Sequence, residues 1–286
     1  MERRLLFDKS ISDLVKERKS VRTYDEGKYI SEEIINRLNS YIDNLQGPFQ
    51  AKVRFKIIKT KKSATKRGFG TYGVIKGADT YIGAVVEKGY MALENLGYEM
   101  EELILYATSL GLGTCWMGGT FNKSGFAKAM EVRENEIFTI ITPIGYKSEE
   151  VRIVDKLFSK GKGDRRKEWV ELFFLKDFFT PLDKDSDIGE MNEVFENLRL
   201  SPSALNKQPW RVVLDGKKVH FFKVGKQSQA EKDTHLDLSE VDMGIALCHF
   251  NLTCKEKGIE GSFVREILKL DGVPKNVEYL ITWVKK

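Results

Sequence analysis

The sequence predicts an α+β fold in which a β-sheet is covered by helices and the whole arrangement occurs twice. Amphipathic helical segments alternate with short hydrophobic strands, the order of these segments recurs later in the chain, and a polar stretch separates the two occurrences. The chain has 286 residues, 41% of them hydrophobic, which is ordinary for a globular protein with a core. A disordered chain is therefore not expected.

The first copy begins with an amphipathic helix predicted over residues 33–42. A break at 46–49, which contains glycine and proline, leads into an alternating strand over 52–59. A long helix over 97–113 carries apolar residues at the spacing of one helical face and stops at glycines. A hydrophobic strand over 137–145 closes the copy.

The second copy repeats these elements in the same order. The helix is predicted over 190–198, the break over 200–203, the strand over 210–214, the long helix over 241–258 and the closing strand over 277–284. Helices that look alike recur by chance, but four elements in one order indicate a fused duplication.

The polar stretch 180–189 is the predicted linker between the copies. It divides the chain into a first half, residues 1–180, and a second half, residues 181–286. Because the long helix is strongly apolar, we expect the halves to pack on each other through their long helices. The prediction is therefore an intrachain pseudo-dimer in a monomeric protein.

Composition narrows the functional classes. The longest apolar runs fall far short of the roughly 18 residues that a membrane helix needs, and the N-terminus lacks the long apolar stretch of a signal peptide. The three cysteines form no CxxC pair, which fits a reducing compartment, and the three histidines are scattered without metal-ligand spacing. We expect a cytoplasmic protein with no metal site and no membrane partner.

The net charge of +5 is mild, but basic residues cluster at 59–67 and 160–167. Either cluster could contact nucleic acid, yet no aromatic platform or helix-turn-helix signature accompanies them. A solvated loop or a single anionic ligand is the preferred interpretation, with no nucleic-acid partner. Residues 68–73 match GxGxxG, but they follow a polar, lysine-rich stretch instead of a hydrophobic strand, so a Rossmann site is not predicted.

Three positions near the N-terminus suit a phosphate group. Arg18, Ser20 and Arg22 stand at alternate positions, so an extended segment would project two guanidiniums and a hydroxyl the same way. The planar fork of arginine matches phosphate oxygens. A solvated basic loop remains the alternative for this segment taken alone.

Two further segments offer polar groups to a ligand. In residues 201–210 the prolines restrict the backbone, while Ser203 and Asn206 present short polar side chains before a strand. Residues 112–120 are rich in glycine, which lets the backbone approach a flat ligand with its N–H groups facing it. Each segment by itself also fits an ordinary turn or loop.

Together these segments resemble the nitroreductase family of FMN enzymes, and the resemblance covers nearly the whole chain. An RxSxR-like phosphate-binding start stands at 18–22, a PSxxNxQPW segment at 202–210, a GLGT-type loop at 111–114 and a basic stretch at 160–167. The motifs are divided between the halves. The first half has only Gly47-Pro-Phe-Gln50 in place of PSxxNxQPW, and the second half has no RxSxR start.

In this family two subunits build each flavin site, so the resemblance implies a fused dimer, a nitroreductase-like sheet-and-helix sandwich, that retains one FMN site. The family's common acidic residue at the glycine turn is replaced here by Gly118. The implied cofactor-binding residues are Arg18, Lys19, Ser20 and Arg22 for the phosphate and flavin edge, Arg165 and Arg166 for the phosphate, Pro202, Ser203 and Asn206 for the ribityl chain and ring, and Met117, Gly118 and Gly119 near flavin N5. The implied substrate contacts are Thr71 and Tyr72.

The resemblance also implies a mechanism and partners. NADH or NADPH would reduce the flavin, leave, and be replaced by a small-molecule electron acceptor such as a nitroaromatic or quinone, in a ping-pong sequence. The flavin carries the chemistry, so no side chain is predicted to be catalytic. The alternatives are a flavin-binding sensor or storage module without turnover, and a nucleic-acid-binding protein that uses the basic loops.

Overall fold

The structure is a computed structural model that describes residues 7–60, 69–150, 152, 165–225 and 238–286. The chain forms two compact units. The N-terminal unit is Lys16–Asp164, and the C-terminal unit combines Met1–Val15 with Arg165–Lys286. Residues 61–67 and 160–164 of the two basic clusters, together with Gly68, lie outside the described residues.

The N-terminal unit contains an antiparallel sheet with the strand order β1-β2-β4-β3. A short helix, α1 (Ile11–Glu17), precedes its elements. These are α2 (Glu32–Asn44), β1 (Val53–Lys59), β2 (Thr80–Glu87), α3 (Ala92–Ser109), β3 (Gly113–Thr114), α4 (Lys123–Met130) and β4 (Glu136–Gly145).

The C-terminal unit contains a sheet with the strand order β5-β6-β7-β9-β8. Strand β5 runs parallel to β6, and the other neighbours are antiparallel. The elements are α5 (Trp169–Leu172), β5 (Phe173–Leu175), α6 (Met191–Arg199), a 3₁₀ turn (Ala204–Asn206), β6 (Trp210–Asp215), β7 (Lys218–Val224), α7 (Leu238–Glu256), β8 (Gly261–Val264) and β9 (Val277–Lys285).

The two units share one topology. In each, a helix leads to an antiparallel strand pair, then to a long helix, a short strand and a closing strand. A register shift interrupts the pairing of the second strand with the closing strand in both units, at Ala84/Val85 and at Phe221/Phe222. The predicted α+β fold with an internal duplication is thereby confirmed.

The long helices differ from the sequence expectation. Helix α3 begins at Ala92 instead of residue 97, and it is buried along nearly its whole circumference, including Glu94, Glu99 and Glu101. A helix that is buried all round does not need one apolar face, provided that its charged side chains find partners. Helices α4 and α5 and strands β3, β5, β7 and β8 were not predicted. Among the described residues, no helix is both long and apolar enough to cross a membrane.

Two segments that the sequence assigns to the first half have their contacts in the C-terminal unit. Near the N-terminus, the Ile11 N–H donates to the carboxylate of Glu256 at 3.0 Å. Strand β5 pairs with β6, with Phe173 opposite Val212. The compact units therefore differ from the halves 1–180 and 181–286, whose boundary stays a prediction about the duplicated sequence.

The segment after α1 is held in the N-terminal unit as an additional extended chain. The Val21 N–H donates to Thr114 O at 2.8 Å, and the Tyr24 N–H donates to Lys76 O at 2.9 Å. A Cβ atom on Gly113 would lie 2.7 Å from Val21 Cγ2, closer than van der Waals contact permits. The absence of a side chain at Gly113 therefore lets this segment approach β3.

We expect Gly113→Ala to lower the free energy of unfolding by about 1–3 kcal/mol, because the added methyl group must displace Val21 or the strand. Chemical denaturation of the apo-protein measures the change. Gly89→Ala is the matched control, since a Cβ atom there meets nothing within 4 Å. Similar losses in both variants would contradict the close-approach explanation.

Candidate functional site

Arg18 is the most deeply buried of the predicted phosphate-binding residues, with 7% of its surface exposed. Its Nε lies 3.7 Å from Oε1 of the fully buried Glu101, whose Oε2 accepts a hydrogen bond from Trp116 Nε1 at 2.7 Å. Within the described residues, Arg18 Nε and Nη1 have no hydrogen-bond partner. A buried guanidinium with unsatisfied N–H groups is costly, and a bound anion would satisfy them.

The other members of this segment are less buried. Ser20 pairs with Thr114 in a parallel bridge, as expected of an extended segment. Ser20 and Lys19 are exposed, and Arg22 is half-buried. The alternation in sequence therefore does not give the three polar side chains equal depth.

Arg152 holds this segment against the loop before β2, a role that the sequence did not reveal. Its Nε donates to Thr23 Oγ1 at 2.8 Å and its Nη2 to Arg22 O at 3.1 Å. The same guanidinium donates to Val74 O at 2.7 Å and to Gly73 O at 3.1 Å. A single arginine after a strand carries no motif, so only the contacts could have identified it.

The glycine loop after β3 presents backbone donors. Met117 exchanges two backbone hydrogen bonds of 3.1 Å with Ile141, and its side chain is buried in the hydrophobic core. In the described part of the chain, neither the Gly118 nor the Gly119 N–H has a hydrogen-bond acceptor. A Cβ atom on Gly119 would meet nothing within 4 Å. The loop thus has two N–H donors without an acceptor among the described residues and open space at Gly119, whereas the Met117 side chain is occupied by packing.

A cavity of about 490 Å³ lies in the same unit. Thr71 and Tyr72, the predicted substrate contacts, both line it. Thr71 is buried, with its hydroxyl 3.4 Å from Ile75 N and O, whereas Tyr72 is 72% exposed and has a left-handed backbone with φ of 49°. Its lining, among the residues that the structure describes, is Phe69, Gly70, Thr71, Tyr72, Gly73, Ile75, Gly77, Ala78, Tyr81 and Asn122.

In the C-terminal unit the end of the basic stretch docks on the PSxxNxQPW segment. Arg166 Nη1 donates to Asn206 Oδ1 at 2.7 Å, and its Nη2 donates to Leu200 O at 3.1 Å. Asn206 Nδ2 donates in turn to Arg165 O at 2.8 Å. The structure therefore brings Arg165, Arg166 and Asn206 together.

Gln208, for which the sequence predicts no role, holds the same segment in place by hydrogen bonds. Its Oε1 accepts from the Lys167 N–H at 2.8 Å, its Nε2 donates to Arg165 O at 3.2 Å, and its own N–H donates to Ser203 Oγ at 2.9 Å. These bonds hold a strained turn, because Leu205, Asn206 and Gln208 all have φ near +50°. Pro202 precedes the turn and is partly buried.

Positive charge gathers around this turn. Burial, followed by the nearby Arg211 guanidinium, lowers the pKa of Lys167, while Glu171 opposes the shift. Arg211 Nη1 donates to Gln208 O at 3.3 Å, and burial lowers the pKa of Arg211 as well. Both shifts come first from burial, so these cations lose part of their hydration beside the turn.

The Gly47–Gln50 segment of the N-terminal unit corresponds to the PSxxNxQPW turn of the C-terminal unit. It shares one type of hydrogen bond with that turn and differs in the others. The Phe49 N–H donates to Asn95 Oδ1 at 3.2 Å, as the Ala204 N–H donates to Asp242 Oδ1 at 2.9 Å in the C-terminal unit. Glu99 Oε1 then accepts from the Gly47 N–H at 2.9 Å and from Asn95 Nδ2 at 2.8 Å. This copy is held by a carboxyl group where the other is held by Arg166.

Burial raises the pKa of Glu99 to about 7, and the hydrogen bonds from Gly47 and Asn95 only partly oppose the shift. Between the unfolded value near 4.5 and about 7, the folded protein binds more protons than the unfolded chain. Stability from this group is therefore fully present below pH 4.5 and is lost as the pH rises through 7.

Between about pH 5 and 8, we expect the free energy of unfolding to fall less in the Glu99→Gln variant than in the wild type, because the amide keeps the hydrogen-bond acceptor without the charge. The difference should be at most about 3 kcal/mol. Urea denaturation across this pH range measures the slope. Glu33→Gln, at an exposed position on α2, serves as the control. An unchanged slope in the Glu99 variant would show that the carboxyl group titrates normally.

Two sheets that share one antiparallel four-strand topology, each with a long buried helix and a polar turn before its first antiparallel strand, define a nitroreductase-type fold. The family model described as "Putative TM nitroreductase" matches residues 10–254. The chain therefore belongs to this nitroreductase family.

One solved structure has the same fold, and two others are similar to about half of the chain. A Thermotoga maritima protein described as a "putative nitroreductase" is 21% identical, with a TM-score of 0.59, and the match covers 96% of this chain and 92% of that one. A Bacteroides fragilis nitroreductase with bound FMN is 19% identical, with a TM-score of 0.40, covering 51% of this chain and 92% of its own. A Clostridium difficile nitroreductase family protein is 18% identical, with a TM-score of 0.41, covering 52% and 90%. No curated protein matches the chain in sequence.

Proposed function

We propose that this protein is an FMN-dependent oxidoreductase that takes electrons from NADH or NADPH and passes them to a small organic acceptor, a nitroaromatic or a quinone. The buried guanidinium of Arg18 carries the proposal, since its Nε and Nη1 have no hydrogen-bond acceptor among the described residues and a bound anion would supply one. Membership of a nitroreductase family makes the FMN phosphate and flavin edge the best candidates for that anion.

The residues present fit such a ligand. Arg18 and Arg22 supply forked donors for the phosphate, with Ser20 and the Lys19 backbone beside them. Glu101 lies beside the Arg18 guanidinium. Arg152 holds the Arg22 backbone against the loop before β2, which lines the cavity. These neighbours restrict the motion of the arginines and reduce the entropy that binding must remove.

The glycine loop suits the ring system. When bound, FMN supplies the two-electron chemistry that no side chain here provides. Charge on the ring changes during reduction, and the N–H groups of Gly118 and Gly119 directly follow Met117, which the backbone bridge to Ile141 holds in place. Donors that need no reorganisation stabilise developing negative charge more effectively than mobile ones.

The C-terminal unit contributes the second part of the proposal. Ser203, Asn206, Arg165 and Arg166 form one polar group held by Gln208, and we assign them to the same FMN. This assignment depends on the sequence, because RxSxR occurs in one half of the chain and PSxxNxQPW in the other. The electron donor and the acceptor would bind in turn at this site, which is the ping-pong sequence.

Anaerobic mixing with NADH or NADPH tests the reaction itself. The purified protein should show an oxidised-flavin absorption spectrum that bleaches on mixing and returns when menadione is added. The flavin released by denaturation should be FMN on chromatography. A colourless protein that does not take up FMN would refute the proposal, and a flavin that binds without bleaching would point to a non-catalytic flavin carrier.

We expect Arg18→Gln to weaken FMN binding by about ten-fold to over a hundred-fold, because a charge-assisted hydrogen bond contributes roughly 1.5–3 kcal/mol. Quenching of FMN fluorescence by the apo-protein measures the dissociation constant. Lys28→Gln removes the same charge from an exposed side chain and should have little effect. Equal losses in the two variants would mean that only net charge matters.

Stoichiometry tests the shared ligand. FMN titration should end at one FMN per chain, and Arg22→Ala and Asn206→Ala should each weaken this single binding event. If both residues contact one FMN, the double variant should depart from the sum of the single effects. An end point of two FMN per chain, or wild-type affinity in the Asn206 variant, would rule out the assignment.

A further inference from the structure

Glu101 is the buried carboxylate beside the Arg18 guanidinium. It lies on α3 with none of its surface exposed, and Arg18 is buried as well. The distance of 3.7 Å between Glu101 Oε1 and Arg18 Nε is within the range of an ion pair and too long for a hydrogen bond. The two charges therefore attract each other without a hydrogen bond between these two atoms.

The pair also lacks the forked geometry in which a carboxylate accepts two parallel bonds from one arginine. Each such fork uses Nε or Nη1 of the guanidinium, and within the described residues neither atom of Arg18 has a hydrogen-bond partner. The other oxygen of the carboxylate is held elsewhere, because Trp116 Nε1 donates to Glu101 Oε2 at 2.7 Å. Glu101 thus neutralises Arg18 by its charge and leaves two of its donor atoms for another acceptor.

An anion that binds to these donors brings a second negative charge close to Glu101. Like charges a few ångströms apart repel each other more strongly in a buried site than in water, because little solvent screens them. The same carboxylate that neutralises Arg18 before binding therefore opposes the ligand that binds to it.

We propose that Glu101 is a resident counter-anion, which neutralises Arg18 before a ligand binds and lowers the affinity of the site for a ligand phosphate. This inference rests on the proposed function, because it concerns how the affinity of the same anion site is set. Burying an arginine with no opposite charge is strongly destabilising, so Glu101 allows the chain to fold before a phosphate binds. The repulsion then makes phosphate binding weaker and more readily reversed.

The alternative role of Glu101 would be to orient Arg18 for the ligand. A carboxylate that fixes an arginine does so through short, directed hydrogen bonds, and the distance of 3.7 Å to Nε is too long for one. The two roles predict opposite results. Removal of an orienting carboxylate weakens phosphate binding, whereas removal of a competing charge strengthens it.

Glu101→Gln separates the two roles, because glutamine keeps the size of the side chain and an oxygen that can accept from Trp116. Isothermal titration calorimetry of the apo-protein with inorganic phosphate measures the affinity without any flavin. We expect the variant to bind phosphate about ten- to a hundred-fold more tightly, from the interaction of two charges about 7 Å apart in a partly screened site. Glu102→Gln removes a charge from the next residue of α3, where the carboxylate accepts from Tyr41 Oη at 2.9 Å, and should bind as the wild type does.

Trp116→Phe tests the same pair from the other side. It removes the indole N–H and frees Glu101 Oε2 to approach Arg18, so it should weaken phosphate binding. Melting temperatures at increasing phosphate concentration give the affinity of any variant that is too unstable for calorimetry.

Phosphate binding by Glu101→Gln that equals the wild type or is weaker would overturn the inference, as would a lack of phosphate binding by both proteins. If Glu101→Gln does not fold, the Trp116→Phe variant decides. Unchanged or tighter phosphate binding in that variant would then reject the counter-anion role.

Failure of this inference can be told apart from failure of the proposed function. A protein that binds one FMN, which NAD(P)H bleaches, but whose Glu101→Gln variant binds phosphate more weakly would keep the proposed function and reject the counter-anion role. A protein that takes up no FMN, but whose Glu101→Gln variant binds phosphate more tightly, would reject the proposed function and keep the role of Glu101.

Discussion

The burial of the Arg18 guanidinium is the constraint on which the N-terminal unit's site depends. A charged group loses its hydration on burial, and Glu101 at 3.7 Å offsets only part of that loss, because the pair lacks a close hydrogen bond. The surrounding contacts follow from this placement. The chain after Arg18 runs beside β3, Gly113 makes room for it, and Arg152 ties it to the loop that lines the cavity. The proposed anion site at Arg18 and the wall of the cavity are thus parts of one hydrogen-bonded region.

The two units share one topology but hold the turn before the first paired strand with different side chains. Asn95 and Asp242 have the same role. Each accepts a hydrogen bond from a backbone N–H of the turn before the first paired strand. In the N-terminal copy Glu99 accepts a hydrogen bond from the Gly47 N–H of the turn, and in the C-terminal copy Arg166 and Gln208 hold the turn in a strained conformation. The two turns therefore differ in only a few side chains. A carboxyl group contacts the N-terminal turn, and cations lie near the C-terminal turn. The duplicated sheet and long helix are unaffected by the change.

Strain at the C-terminal turn also has a physical reason. Left-handed backbone at Leu205, Asn206 and Gln208 is unfavourable for side-chain-bearing residues, and it persists because several hydrogen bonds converge on Gln208 and Arg165. The same geometry leaves Leu205 89% exposed. Strained, over-determined turns are typical of places where a protein holds polar groups ready for a ligand.

The sequence by itself determined the α+β class, the repeat and the family, because hydrophobic periodicity and motif spacing are local properties of the chain. It also indicated Arg18 and Asn206, whose motifs are contiguous. Only the tertiary structure decided that Glu99 and Glu101 are buried, that Met117 packs in the core, and that Arg152, Gln208 and Asn122 hold or line the sites. Their partners lie far away in sequence or belong to the backbone, and the extent of α3, buried all round, follows from packing that no periodicity records. Long-range contacts of this kind are set by how the elements pack, and a local pattern cannot specify them.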